Sequence, residues 1–185
     1  LLLAGDSGIG KSYVAIHLAV EAAMGEAWFG VWAVARPLSV LYIQVEVAEA
    51  MLNRRVRRWL AGATGPLPGR LWLALARDFC IQEQADELRH LCDQLQINVV
   101  VYDPLYMMHE ASENSTETVR PTQQAMDYIA SPQGGEALRA TIITHHVNKP
   151  ASAGGVPSMA WIRGSTAWHN WADTVMLAAG RMGAE

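Results

Sequence analysis

Gly5-Asp6-Ser7-Gly8-Ile9-Gly10-Lys11-Ser12 decides the fold, because it meets G-x-x-x-x-G-K-[ST] at every required position. An apolar strand end at residues 1–4 precedes it, and an amphipathic run at 13–24 follows. Strand, glycine-rich loop and helix in that order make a cradle for phosphate. Gly5, Gly8 and Gly10 let the backbone curl with its N–H groups inward. The following helix adds unpaired N–H groups and its positive end. Lys11 brings a cation to the β and γ phosphates, and the Ser12 hydroxyl is a ligand for Mg²⁺. The residues expected to bind ATP are Gly5, Asp6, Ser7, Gly8, Ile9, Gly10, Lys11, Ser12 and the adjoining Tyr13.

Outward from this loop the chain alternates strand and helix. The helix from Lys11 is expected to end at Gly25. Residues 26–37 read as a loop whose Trp28, Phe29 and Trp32 pack on the next strand or shelter an adenine. Residues 39–44 (SVLYIQ) read as a buried strand and 48–60 as a helix. That helix sets Met51, Leu52, Val56, Trp59 and Leu60 on one face and Arg54, Arg55, Arg57 and Arg58 on the other. A Gly/Pro turn region at 62–69, a strand at 71–76 and a helix at 82–95 follow. The strand at 98–102 runs into Asp103, and 106–116 is polar loop. Residues 118–129 suit a helix with Pro121 in its first turn, then a break at 131–135 and a short turn at 136–139. A strand at 140–144, a Gly/Pro/Ser-rich segment at 148–157, a short helix or turn at 165–171 and a strand at 174–178 complete the chain. Several strands are continuous apolar runs, as in a mostly parallel sheet covered on both faces. The expected class is α/β, as one domain over residues 1–185.

In an open parallel sheet, ligands bind beyond the carboxyl ends of the strands. Four polar sites fall there: the phosphate loop, Glu46, Asp103 and the pair His145-His146. Asp103 suits a carboxylate that holds Mg²⁺ through water, with a turn cap at Pro104 as its simpler role. Glu46 suits a general base that orients water, or an N-cap or first-turn acid of the next helix. Glu49 is its rival, expected about one turn into the next helix and pointing away. Adjacent histidines on a strand face opposite ways. His146 is therefore expected to sense the γ-phosphate and His145 to be partly structural. Lys149, Arg163 and Arg181 are candidate cations for a neighbouring subunit's phosphates, or solvated surface charges. The arginines at 54–58 are a solvated face, or a subunit or nucleic-acid surface.

Composition removes other classes. The 185 residues are 51% hydrophobic and 17% charged, with a net charge of -4, unlike a disordered or duplex-coating basic chain. Two cysteines, Cys80 and Cys92, make no disulfide framework or zinc spacing and read as small buried apolar residues. This fits a reducing cytoplasm, and no apolar run reaches membrane-span length. Leu1-Leu2-Leu3 reads as a strand end whose beginning is missing, so truncation is expected.

The ordered set resembles the RecA-like ATPases, and among them the AAA_25 group with its RepA-type hexameric replicative helicases. The carriers are the loop at 5–12, VLYIQVE at 40–46, NVVVYDPL at 98–105, Glu113-Asn114, THHVNK at 144–149, RGSTA at 163–167 and ADTV at 172–175. The resemblance implies a three-layer RecA-like fold truncated at both termini. Its Walker A and Walker B strands would be separated by the strand at 140–144. It implies Glu46 as the catalytic carboxylate, with Lys11, His146, Lys149 and Arg163 acting on phosphate and Ser12 and Asp103 on Mg²⁺. It implies a homo-oligomeric ring such as a hexamer, with the loop at 149–162 facing single-stranded DNA. Trp161 there suits stacking on a base. Three other activities remain open: a DNA-associated ATPase that does not unwind, a small-molecule kinase, and a module that binds ATP without turnover.

Overall fold

The computed structural model describes residues 1–61, 70–109, 116–135, 137–147, 162 and 167–179, with the backbone alone at 116–118. In chain order the elements are β1 (Leu2–Gly5), α1 (Lys11–Met24), β2 (Val40–Gln44), α2 (Glu49–Leu60), β3 (Leu71–Leu75) and α3 (Ala85–Gln94). Then come β4 (Val99–Asp103), a 3₁₀ turn (Leu105–Met107), α4 (Thr116–Ala130), β5 (Ala140–His146), α5 (Ala167–Trp171) and β6 (Val175–Ala178). The strands form one six-stranded sheet in the order β3-β2-β4-β5-β1-β6. Every pairing within it is parallel. β5 separates β1 from β4, as expected for the Walker A and Walker B strands.

Alternation along the strands builds two apolar layers. Leu3, Val40, Tyr42, Val99, Val101 and Ile142 pack with Ile16 and Leu18 of α1 and Leu52 and Val56 of α2. Leu41, Ile43, Val100, Tyr102 and Ile143 pack on the other face with Leu88 of α3, Met126 and Ile129 of α4 and Trp168 of α5. Each such aliphatic side chain, fully buried, contributes about 1.5–3 kcal/mol. Buried Ala15, Ala19, Ala22 and Ala23 let α1 lie close to the sheet. Gly25 ends α1 at φ 75, donating its N–H to the Ala22 carbonyl. A Cβ there would also lie 2.9 Å from Pro37, so the turn requires glycine twice over.

Some expectations need correction. α3 begins at Ala85, because residues 81–84 form turns, with the Gln84 side chain accepting the Cys80 N–H. α4 begins at Thr116, so Pro121 lies beyond the first turn and removes an intrahelical hydrogen bond. Residues 137–139 make no turn; Arg139 is instead buried, held by the Ile129 and Ile97 carbonyls. Cys92 is buried but Cys80 is only half-buried. Trp28 donates its indole N–H to the Leu18 carbonyl, while Phe29 and Trp32 stay exposed. Among the described residues no helix is long and apolar enough to cross a membrane.

Candidate active site

Parallel pairing brings the carboxyl ends of β1, β2, β4 and β5 to one sheet edge. A cleft of about 320 Å³ opens there, lined by the phosphate loop, Glu46, Asp103, Thr144 and His146, with Arg55 and Tyr106 beside them. The loop's backbone has the form a phosphate cradle needs. Gly8 (φ 76) and Gly10 (φ 100) are left-handed, and a Cβ on either would meet nothing within 4 Å. The first N–H groups of α1 have no intrahelical acceptor and, among the described residues, no side-chain cap. Gly5 has a different purpose from the one expected. A Cβ there would sit 2.6 Å from the Ala178 carbonyl, so this glycine lets β6 approach β1. Ile9 packs beside it and Asp6 supplies a carbonyl, whereas Ser7, Lys11, Ser12 and Tyr13 line the cleft.

Lys11 is 7% exposed. Its ammonium donates to the Gly5 carbonyl at 2.9 Å and the Asp6 carbonyl at 2.8 Å, which draws the loop around it. Burial lowers its pKa, and the charges of Asp103, Asp6 and Glu46 partly restore it.

Asp103 is 1% exposed and is the hub of the site. Its Oδ1 accepts from Ser12 Oγ at 3.1 Å and Thr144 Oγ1 at 2.5 Å. Its Oδ2 accepts from Tyr42 Oη at 2.6 Å and Gln44 Nε2 at 3.0 Å. Register explains the convergence, since Gln44 pairs directly with Asp103 across β2 and β4. Burial, with the Asp103 charge and hydrogen bond adding to it, pushes the Tyr42 phenol well above its ordinary pKa, so Tyr42 remains a donor. A hydroxyl and a carboxylate in contact are hard oxygen donors, which suit Mg²⁺. Ser12 and Asp103 are the residues that would hold it. Among the described residues Asp103 already accepts four side-chain hydrogen bonds, which fix its carboxylate beside Ser12.

Glu46 follows β2 and its exposed side chain lines the cleft. Glu49 is the first residue of α2, not a turn into it, and lies outside the cleft lining. On β5 the expected alternation holds. His145 is fully buried with its ring 5.9 Å from that of Trp168, while His146 lines the cleft with its ring 4.9 Å from that of Tyr106.

Arg55 corrects the expected outer face of α2. Arg54, Arg57 and Arg58 are exposed, but Arg55 is half-buried, borders the cleft and lies 4.9 Å over the Tyr13 ring. A signal existed, because Arg55 stands three residues after buried Leu52 and so flanks the inward stripe. Gln44 and Thr144 were also missed, though each is a polar residue at the end of an apolar run. Lys149, Arg163, Arg181, Trp161, Glu113-Asn114 and the loop at 149–161 lie outside the described residues.

A family model described as an AAA domain matches residues 1–152. The chain belongs to this AAA-domain family of P-loop ATPases. No curated protein matches it significantly. Membership of this family implies nucleotide binding, and the loop geometry and donor set of the cleft fit a nucleotide with Mg²⁺.

Proposed function

We propose that this AAA-domain protein hydrolyses ATP with Mg²⁺ and couples the cycle to movement on single-stranded DNA as a RepA-type, helicase-like ring. One observation carries the hydrolytic part: Lys11, the Ser12–Asp103 pair, Glu46 and His146 converge on one cleft from separate segments. Lys11 and the N–H groups at the start of α1 hold the phosphates. Glu46 orients a water whose oxygen bonds to the γ-phosphorus, and its carboxylate takes the proton. The bond to the bridging β–γ oxygen breaks, releasing ADP and phosphate. Ser12 and Asp103 would hold Mg²⁺, which would supply neutralising charge to the phosphates. Arg55 adds a cation at the cleft, and His146, which lines it, is the residue that would sense loss of the γ-phosphate.

The motor part rests on the resemblance. In it Lys149 and Arg163 act across a subunit boundary of a hexamer-like ring, and the loop at 149–162 touches DNA. The test is steady-state hydrolysis with and without single-stranded DNA, beside Glu46→Gln, with oligomer mass measured in the same buffer. The expected result is DNA-stimulated turnover that falls about 10²–10⁴-fold in Glu46→Gln, from a ring-sized particle. Turnover by a monomer, indifferent to DNA, would remove the motor and leave the ATPase. A forked duplex left unwound by a DNA-stimulated ring would make it a DNA-associated ATPase without helicase action.

A further inference from the structure

We infer that Gln44 is a positioning residue for hydrolysis: its amide ties the metal-side carboxylate Asp103 to the backbone of Glu46 and Val47, and so fixes where Glu46 stands. The inference rests on the ATPase reading above. Gln44 is 1% exposed, at the last position of β2. Its Nε2 donates to Asp103 Oδ2 at 3.0 Å. Its Oε1 accepts the N–H of Glu46 at 2.6 Å and of Val47 at 3.3 Å. The orientation is fixed by chemistry, since backbone N–H groups only donate and must face Oε1. One side chain thus spans the two groups that hydrolysis requires to be in register.

The position itself singles out an amide. Val40, Leu41, Tyr42 and Ile43 precede it in β2 and every residue of that strand is buried, so a polar residue there needs full satisfaction. Neither a hydrocarbon nor an ionised carboxylate can donate to Asp103 and accept from two N–H groups at once. Glu46 leaves the strand two residues on, with an exposed side chain and no regular element until α2 begins at Glu49. The backbone bonds from Gln44 are therefore what pins the carboxylate's origin, while the carboxylate itself stays free to meet water.

The experiment compares wild type, Gln44→Leu, Gln44→Glu, Glu46→Gln and the double variant Gln44→Leu/Glu46→Gln, in steady-state and single-turnover hydrolysis. Thermal melting and ADP binding report whether each variant folds and holds nucleotide. Loss of an outer partner of this kind costs about 10- to 100-fold in activity. Gln44→Leu should show that loss in kcat, with KM for ATP and ADP affinity held within about threefold. The double variant should be no slower than Glu46→Gln alone, because Gln44 acts through Glu46. Gln44→Glu should recover turnover as pH falls. Its protonated acid can donate to Asp103 and accept from the N–H groups, as the amide does, and its ionised form cannot.

Wild-type turnover in Gln44→Leu overturns the inference, as do losses that multiply in the double variant, and the ATPase reading survives both. A Gln44→Glu profile parallel to wild type overturns it too. Should Gln44→Leu fail to fold, Gln44→Asn, whose shorter amide cannot reach both partners at once, takes its place in the same cycle with Glu46→Gln. A wild type that binds ATP and never hydrolyses it takes down the ATPase reading and the inference together.

Discussion

Asp103 and Arg139 are both buried charges on one parallel sheet, at opposite edges, and they are satisfied in opposite ways. Asp103 ends β4 at the carboxyl edge and accepts from four neutral donors: two aliphatic hydroxyls, a phenol and an amide. Arg139 precedes β5 at the amino edge, 6% exposed. It donates to the Ile129 carbonyl at 2.7 Å and the Ile97 carbonyl at 3.2 Å, and pairs with Asp93. The amino-edge charge is closed by its opposite and ties α3, α4 and the segment just before β4 to the start of β5. The carboxyl-edge charge is closed by dipoles that leave it facing a cleft with Lys11 and Ser12 on its walls. Burial alone therefore does not distinguish the two charges; the chemistry of their partners does.

The largest effect that tests this contrast is on stability. Arg139→Met leaves Asp93 half-buried without its partner and two carbonyls without donors. Breaking such a pair costs about 3–5 kcal/mol. The urea midpoint should fall accordingly, while hydrolysis per folded molecule stays within about twofold of wild type. A variant of native stability that had lost hydrolysis would place function at both edges and dissolve the contrast.

Asp103→Asn is the matching change at the other edge. The asparagine amide can turn its N–H₂ toward Ser12 and Thr144, whose hydroxyls accept as well as donate, and keep its oxygen toward Tyr42 and Gln44. The fold should survive, and hydrolysis should fall about 10²–10³-fold with the charge removed. Raising the Mg²⁺ concentration should recover part of the loss. Unimpaired turnover in Asp103→Asn would make this carboxylate structural, like its counterpart at the amino edge.

The same contrast explains what was legible in the sequence. The phosphate loop, Glu46, Asp103 and His146 stood out because polar residues at the carboxyl ends of apolar runs have few structural uses. The parallel sheet was legible because VLYI and VVVY are apolar without alternation. Tyr42 was not, since its ring reads as core and only the tertiary fold shows its hydroxyl on Asp103. Gly5 carried its motif role so plainly that its contact with Ala178 of β6, a strand far along the chain, had no local signal. The Arg139–Asp93 pair joins residues 46 apart in sequence, and nothing in either neighbourhood announces the other.

The smallest effect concerns a thiol at the amino edge. Cys92 of α3 is buried, and burial pushes its pKa from 9.0 to about 11, with Arg139 pulling it down and Asp93 pushing it up. Below the unfolded value both states keep the proton, so its contribution to stability is complete. Between that value and the folded one the unfolded chain ionises first, and the contribution is lost as pH rises. A shift of that size corresponds to about 2–3 kcal/mol at most. Under reducing conditions the urea midpoint of wild type should fall from pH 8 to pH 10. Cys92→Ala should start lower, for the packing it loses, and fall less steeply over the same interval. Tyr42 and Tyr102 are raised too, so a decline above pH 10 should persist in the variant. Equal slopes in the two proteins would mean that the thiol ionises as readily in the fold as outside it. The apolar contacts of α3 would then not exclude water from this edge, and the closed character assigned to the Arg139 region would fail with them.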